Sequence, residues 1–336
     1  MFTRLLVPLD GSPLAESALA HAAALARPDA SITLVNVLVP EAGAPPVDPL
    51  EWRLRRDAAG LYLDRVADTL RSLLGMTVST VVAEGNAAER ILALAREHDV
   101  ELIVMASHGA GGPSPWNVNS VAFKVALRAG VSLLLVRGYR PAASWGEVDW
   151  NPQHYRRILV PLDGSLRGEH VIPAVSRLLG RHVAQLELAH VVAVPEAIER
   201  YPGMERAEDD AGDEARERAQ RYLDEIGRDC GAQAGVTVHV LRNHDEFSIL
   251  EDLVDQQQVD LVVLSAHGHS ARRRRVHGSL TTSFLLHGAT SLLILQDLPW
   301  HELQPGAAEQ AVGTPDPPMM RAPGGHLPDH GPATQG

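Results

Sequence analysis

The stretch LVPLDGS runs from Leu6 to Ser12 and is repeated without change from Leu159 to Ser165. Four apolar or proline residues lead into an aspartate, a glycine and a serine. That order reads as a buried strand ending in a tight turn, with serine placed to cap a helix. Aligning the two copies brings much of the downstream sequence into register. LVNVLVPE (34–41) matches LAHVVAVPE (188–196), ELIVMASHG (101–109) matches DLVVLSAHG (260–268), and VSLLLVR (131–137) matches TSLLILQ (290–296). A period of about 150 residues is a duplicated domain, because solenoid repeats run at roughly 20–50 residues.

Within each copy, short runs of Val, Ile and Leu alternate with longer stretches of helical period. The strand candidates are 4–9, 31–38, 76–83, 101–106 and 132–136 in the first copy. In the second they are 157–162, 185–192, 236–241, 260–265 and 291–295. Near-continuous apolar runs suit strands covered on both faces, and their alternation with helices makes βαβ units and a parallel sheet. Ser12 and Pro13 mark a clean helix start. Pro173 falls inside the matching helix of the second copy and predicts a kink or a break there. Segments 50–74 and 204–229 read as long amphipathic helices, and further helices start near Ala87 and Glu246.

The expected organisation is a first domain over 1–140, a linker over 141–154, a second domain over 155–298 and a disordered tail over 299–336. The linker region carries Trp145 and Trp150, which can pack on a domain surface. The tail is dense in Pro and Gly and has no period.

The totals narrow the function. Of 336 residues, 45% are apolar but only 4% aromatic, so aliphatic side chains must fill the cores. Thirty basic against 42 acidic residues give a net charge of −12, which argues against nucleic acid and anionic membrane as partners. No apolar run approaches the roughly 20 residues of a membrane span. The single cysteine, Cys230, cannot form an internal disulfide and reads as a small side chain near a helix end. A cytoplasmic protein is expected.

In open parallel α/β sheets ligands bind outside the carboxyl ends of the strands. Polar loops fall there in each copy. Asp10 and Asp163 follow the first strand; each can accept from a ribose hydroxyl or a base amine, or simply close an Asx-type turn with Gly-Ser. The turn after the fourth strand reads ASHGAGGPSPWNVNS (106–120) in the first copy and SAHGHSARRRRVHGS (265–279) in the second. Glycine there lets backbone N–H groups approach an anion, and a helix starting at Gly278-Ser279 offers its positive end. Ser120 and Ser279 can reach phosphate or merely cap their helices. Arg272 to Arg275 are either a solvated loop or a source of one or two phosphate contacts.

These motifs, in this order and twice over, resemble the universal stress protein family across 3–137 and 156–296. The resemblance implies two doubly wound α/β domains, each a five-stranded parallel sheet of order 3-2-1-4-5. It also implies, for one branch of the family, ATP binding through G-x2-G-x9-G-[S/T]. The second copy reads Ser265-x2-Gly268-x9-Gly278-Ser279, with two of three glycines. The first reads Ala106-x2-Gly109-x9-Asn119-Ser120, with one. The family's adenosine-binding aspartate matches Asp10 and Asp163, and its backbone contact to adenine, just after the second strand, matches Val37 and Val191. The second copy is therefore the better site: Asp163, Val191, Ser265, Gly268, Gly278 and Ser279. The first is a degenerate one: Asp10, Val37, Ala106, Gly109, Asn119 and Ser120.

The expected ligand is ATP or AMP, with any Mg²⁺ held by the phosphates. His267 and His269 have no companion at metal-ligand spacing. G-x-S-x-G, the Walker pattern and a dinucleotide fingerprint are all missing. No general base stands beside the phosphate loop, so a stress-response sensor is expected, with at most weak ATPase activity. The alternative is a scaffold for an unknown protein partner or a small ligand. By analogy with tandem family members, the two last strands should pair within the chain, and a homodimer is compatible with that arrangement.

Overall fold

The computed structural model describes residues 2–40, 48–108, 120–137, 155–179, 185–193, 205–230, 235–268 and 276–299. Trp145, Trp150, Arg272 to Arg275 and the tail beyond Pro299 lie outside them. The first half runs β1 (Phe2–Pro8), α1 (Pro13–Leu25), β2 (Ala26–Leu38), α2 (Pro49–Leu74), β3 (Thr77–Glu84), α3 (Ala87–Glu97), β4 (Leu102–Ala106), α4 (Val121–Arg128) and β5 (Ser132–Val136). The second half repeats it as β6 (Arg157–Pro161), α5 (Ile172–Leu179), β7 (Gln185–Ala193), α6 (Glu205–Asp229), β8 (Gly235–Asn243), α7 (Glu246–Gln257), β9 (Leu261–Ser265), α8 (Ser279–His287) and β10 (Ser291–Leu295).

All ten strands join one sheet in the order β3-β2-β1-β4-β5-β10-β9-β6-β7-β8. Each half thus runs 3-2-1-4-5 outward-to-seam, with parallel pairing inside it. The seam is antiparallel: Leu135 faces Leu292, Leu134 faces Leu293, and Leu133 faces Ile294. Each half covers the other's otherwise open edge strand. Alternate residues of the strands feed two cores on opposite faces. Helices α1, α2, α5 and α6 pack on one, and α3, α4, α7 and α8 on the other. The central strands are buried on both faces, which is why their sequences are apolar without interruption.

The DGS turn is built alike in both copies. Gly11 has φ +83° and Gly164 has φ +77°, a region that side chains rarely enter. Ser12 then caps α1, its hydroxyl accepting from the Ala15 amide at 3.2 Å, and Pro13 takes the first helical position. The second copy departs at Pro173. Residues Gly168–Val171 form a 3-10 turn, and α5 starts only at Ile172, so proline sits in its first turn, where its missing N–H costs nothing. The outcome is a break. Strand β2 also reaches back to Ala26, five residues earlier than its apolar run suggests, because Ala26 pairs with Phe2. Among the described residues no helix is long and apolar enough to cross a membrane.

Candidate functional site

Both copies fix the aspartate after the first strand by the same bonds. Asp163 Oδ1 accepts from the Ser165 amide at 3.0 Å and from its hydroxyl at 2.6 Å. Asp10 Oδ1 accepts from Ser12 at 3.0 and 2.5 Å. The Asx turn is therefore present at both positions, and it orients the carboxylate at the carboxyl end of the sheet. A second device holds the neighbouring strand end. Asn36 Nδ2 donates to the Leu9 carbonyl at 2.9 Å, and His190 Nδ1 makes the matching 2.8 Å bond to the Leu162 carbonyl. A carbonyl only accepts, so His190 carries its proton on Nδ1.

In the second half these pieces border one cleft of about 430 Å³, inside the size range of small-molecule sites. Asp163, Val191, Ser265, Gly268, Gly278 and Ser279 all line it. Val191 lies within the end of β7 rather than after it, as Val37 lies within β2. Within the cleft Gly268 packs against Asp163. A Cβ at Gly268 would collide with Asp163 Oδ2 and come within 3.3 Å of Cγ. Gly168 is constrained from the other side, where a Cβ would stand 2.7 Å from Asp163 Oδ1. Two glycines thus make room for one carboxylate.

The helix starts differ between the halves by one residue. Ser120 is the N-cap of α4, and its hydroxyl accepts from the Phe123 amide at 3.1 Å. In α8 the N-cap is Gly278, which supplies no side-chain oxygen, and Ser279 is already the first helical residue. The amide end of α8 thus meets the cleft without a side-chain cap from Gly278. Gly278 itself is held by its amide bond to the Ala266 carbonyl at 2.7 Å. Of the first-half residues, Asp10, Val37 and Ala106 stand at the ends of β1, β2 and β4, and Ser120 at the start of α4; Gly109 and Asn119 lie outside the described residues.

Sequence reasoning missed the parts played by His190, His267 and Glu246, which also line the cleft. His267 is fully buried, and its Nδ1 lies 2.5 Å from Asp297 Oδ1, while Arg167 stands 3.9 Å from Asp297 Oδ2. Glu246 is the first residue of α7; desolvation, followed by the charge of Asp163, pushes its carboxyl above the ordinary range. The position of His190 was readable in principle, since it aligns with Asn36. The Ser265 hydroxyl, an expected member of the site, is buried at the end of β9 without a hydrogen-bond partner among the described residues. Among the described residues no group of three His, Cys, Asp or Glu side chains is arranged to hold a metal ion.

A duplicated 3-2-1-4-5 sheet with a DGS turn and a glycine-bounded helix start at its carboxyl end matches a known family. The model of the universal stress protein family matches residues 1–137 and 154–296. The chain belongs to the universal stress protein family. It is 29% identical over 153 residues to universal stress protein YxiE of Bacillus subtilis, covering all of that protein and 41% of this chain. Its fold is similar to that of a universal stress protein from Archaeoglobus fulgidus, with a TM-score of 0.60 at 15% identity, over 87% of this chain and 98% of the other. A protein of unknown function from Pseudomonas aeruginosa PAO1 is similar to the same degree, with a TM-score of 0.60 at 14% identity, over 93% and 97% of the two chains.

Proposed function

We propose that this tandem universal stress protein is a nucleotide sensor whose second half binds ATP or AMP. The observation that carries the reading is the glycine at the start of α8. Gly278 takes the N-cap without a side chain, at a cleft that also holds an oriented carboxylate on Asp163. A helix start whose N-cap carries no side chain, at the positive end of the helix, suits phosphate oxygens. An oriented carboxylate suits the hydroxyls of a ribose, and the backbone near Val191 suits the edge of an adenine. Any Mg²⁺ would be held by the phosphates, since hard cations prefer oxygen ligands and keep several waters.

In the first half, Ser120 occupies the capping role that Gly278 leaves open, which favours one working site per chain. The test is the nucleotide content of the purified chain, followed by titration of wild type, Asp163→Ala and Gly278→Val with ATP and AMP. Binding that both substitutions weaken supports the reading. No binding at millimolar nucleotide rejects it in favour of a scaffold function.

A further inference from the structure

Helix α8, which starts at the cleft from the glycine N-cap Gly278, is fastened to the first half of the chain at both of its ends. At its carboxyl end the Arg137 guanidinium reaches across the seam. Nη1 donates to the Phe284 carbonyl at 2.8 Å and to that of Gly288, and Nη2 donates to the Leu285 carbonyl at 2.6 Å. These carbonyls belong to the last turn and C-cap of α8; that of Phe284 also accepts the Gly288 amide at 3.1 Å. A planar cation with a fixed fork of donors suits such a cluster. The Arg137 backbone is itself tied to Ser291: its amide donates to the hydroxyl at 3.0 Å, and the hydroxyl donates back to its carbonyl at 3.0 Å.

At the other end, His277 directly precedes Gly278. It is buried, and its Nε2 donates to the Ala126 carbonyl of α4 at 2.7 Å. A last-turn carbonyl of α4 is thereby capped by the residue next to the start of α8. The two halves are not equivalent here. The position matching Arg137 is Gln296, whose backbone amide makes the mirrored bond to the Ser132 hydroxyl at 3.2 Å but whose side-chain amide reaches the Val276 carbonyl at 3.4 Å within its own half. The position matching His277 is Val118, whose side chain has no donor.

We infer that Arg137 and His277 are positioning residues for the nucleotide cleft: the first half acts as a fixed clamp that sets the place of Gly278 and the start of α8. Neither residue lines the cleft. Their effect runs through pre-organisation. A phosphate-binding turn that is correctly placed only part of the time binds with an affinity reduced by that fraction. This inference rests on the nucleotide reading of the second half. Linkage also makes it reciprocal, so bound nucleotide must tighten the hold of the halves at α4 and α8.

The test uses the full chain and whichever of ATP and AMP the wild type binds more tightly. Affinities are taken for Arg137→Ala, Arg137→Lys, His277→Val and His277→Gln, each at a temperature where its circular dichroism matches wild type. Arg137→Ala and His277→Val are expected to bind roughly two- to thirtyfold more weakly. Arg137→Lys and His277→Gln, which keep donors, are expected to recover part of the loss. Hydrogen exchange at Ala126–Ala129 and across the first turn of α8 is expected to slow when nucleotide is added. If Arg137→Ala does not fold, the His277 pair and Arg137→Lys decide the matter. Folded variants with wild-type affinity overturn this inference and leave the nucleotide reading standing. A wild type that binds neither nucleotide overturns both.

Discussion

Replacing Gly268 with alanine isolates its packing against Asp163. Gly268 is not among the glycines in the left-handed region, so alanine meets no backbone strain there. The added Cβ meets Asp163 Oδ2 instead. The carboxylate cannot swing away at no cost, because Oδ1 holds the Ser165 amide at 3.0 Å and its hydroxyl at 2.6 Å. Overpacking of this kind costs about 1–3 kcal/mol. For a domain of this size that is a fall in Tm of roughly 2–12 °C. Asp163→Ala gives up at least the two bonds from Ser165 at a half-buried turn and should cost about 1–3 kcal/mol. With the carboxylate gone the alanine has space, so the double variant should be more stable than the sum of the single effects by at least about 1 kcal/mol. Urea unfolding of wild type, Gly268→Ala, Asp163→Ala and the double variant measures this coupling. Additive effects within about 0.5 kcal/mol would refute the packing argument.

Three further outcomes are expected. His277 is held neutral by burial, its pKa lowered to about 4, with an opposing contribution from its bond to Ala126 and a lowering one from nearby His267. The unfolded chain takes up that proton first, so the stability from this group is complete above about pH 6.5 and is lost as pH falls toward 4, by about 2 kcal/mol at pH 5. Urea unfolding of wild type and His277→Gln at pH 7 and pH 5 should show the difference, and equal pH responses would contradict it. Gly278→Asp supplies the missing cap to α8 from a backbone already extended at φ −74° and ψ 176°. It should leave thermal stability equal or higher while removing nucleotide binding, because the new carboxylate occupies the amides that phosphate needs. Ser120→Ala removes the cap of α4 and should cost about 1 kcal/mol in denaturant unfolding, with nucleotide affinity unchanged.

The strands were legible because covering a parallel sheet on both faces requires unbroken apolar runs such as LIVMA (102–106) and SLLLV (132–136). The start of α1 was legible because Ser12 and Pro13 are local signals. The one-residue offset between Ser120 and Ser279 was not, since both sequences read as serine before a helix and only the backbone decides which residue caps. The ties made by Arg137 and His277 were invisible for another reason. Their partners lie about 150 positions away along the chain, across a seam that the duplicated pattern suggests only as strand pairing. Glu187 is a similar case. It is a carboxylate inside an apolar strand, and it is tolerated because His239 stands 2.8 Å and Arg157 3.4 Å away, on the neighbouring strands.

The most direct measurement is calorimetric titration of the full chain with ATP and AMP, beside Asp163→Ala and Asp10→Ala. One nucleotide per chain is the predicted result, with binding lost or strongly weakened in Asp163→Ala and kept in Asp10→Ala. No heat at millimolar nucleotide, or an Asp163→Ala variant that binds as the wild type does, would contradict the assignment of the second-half cleft.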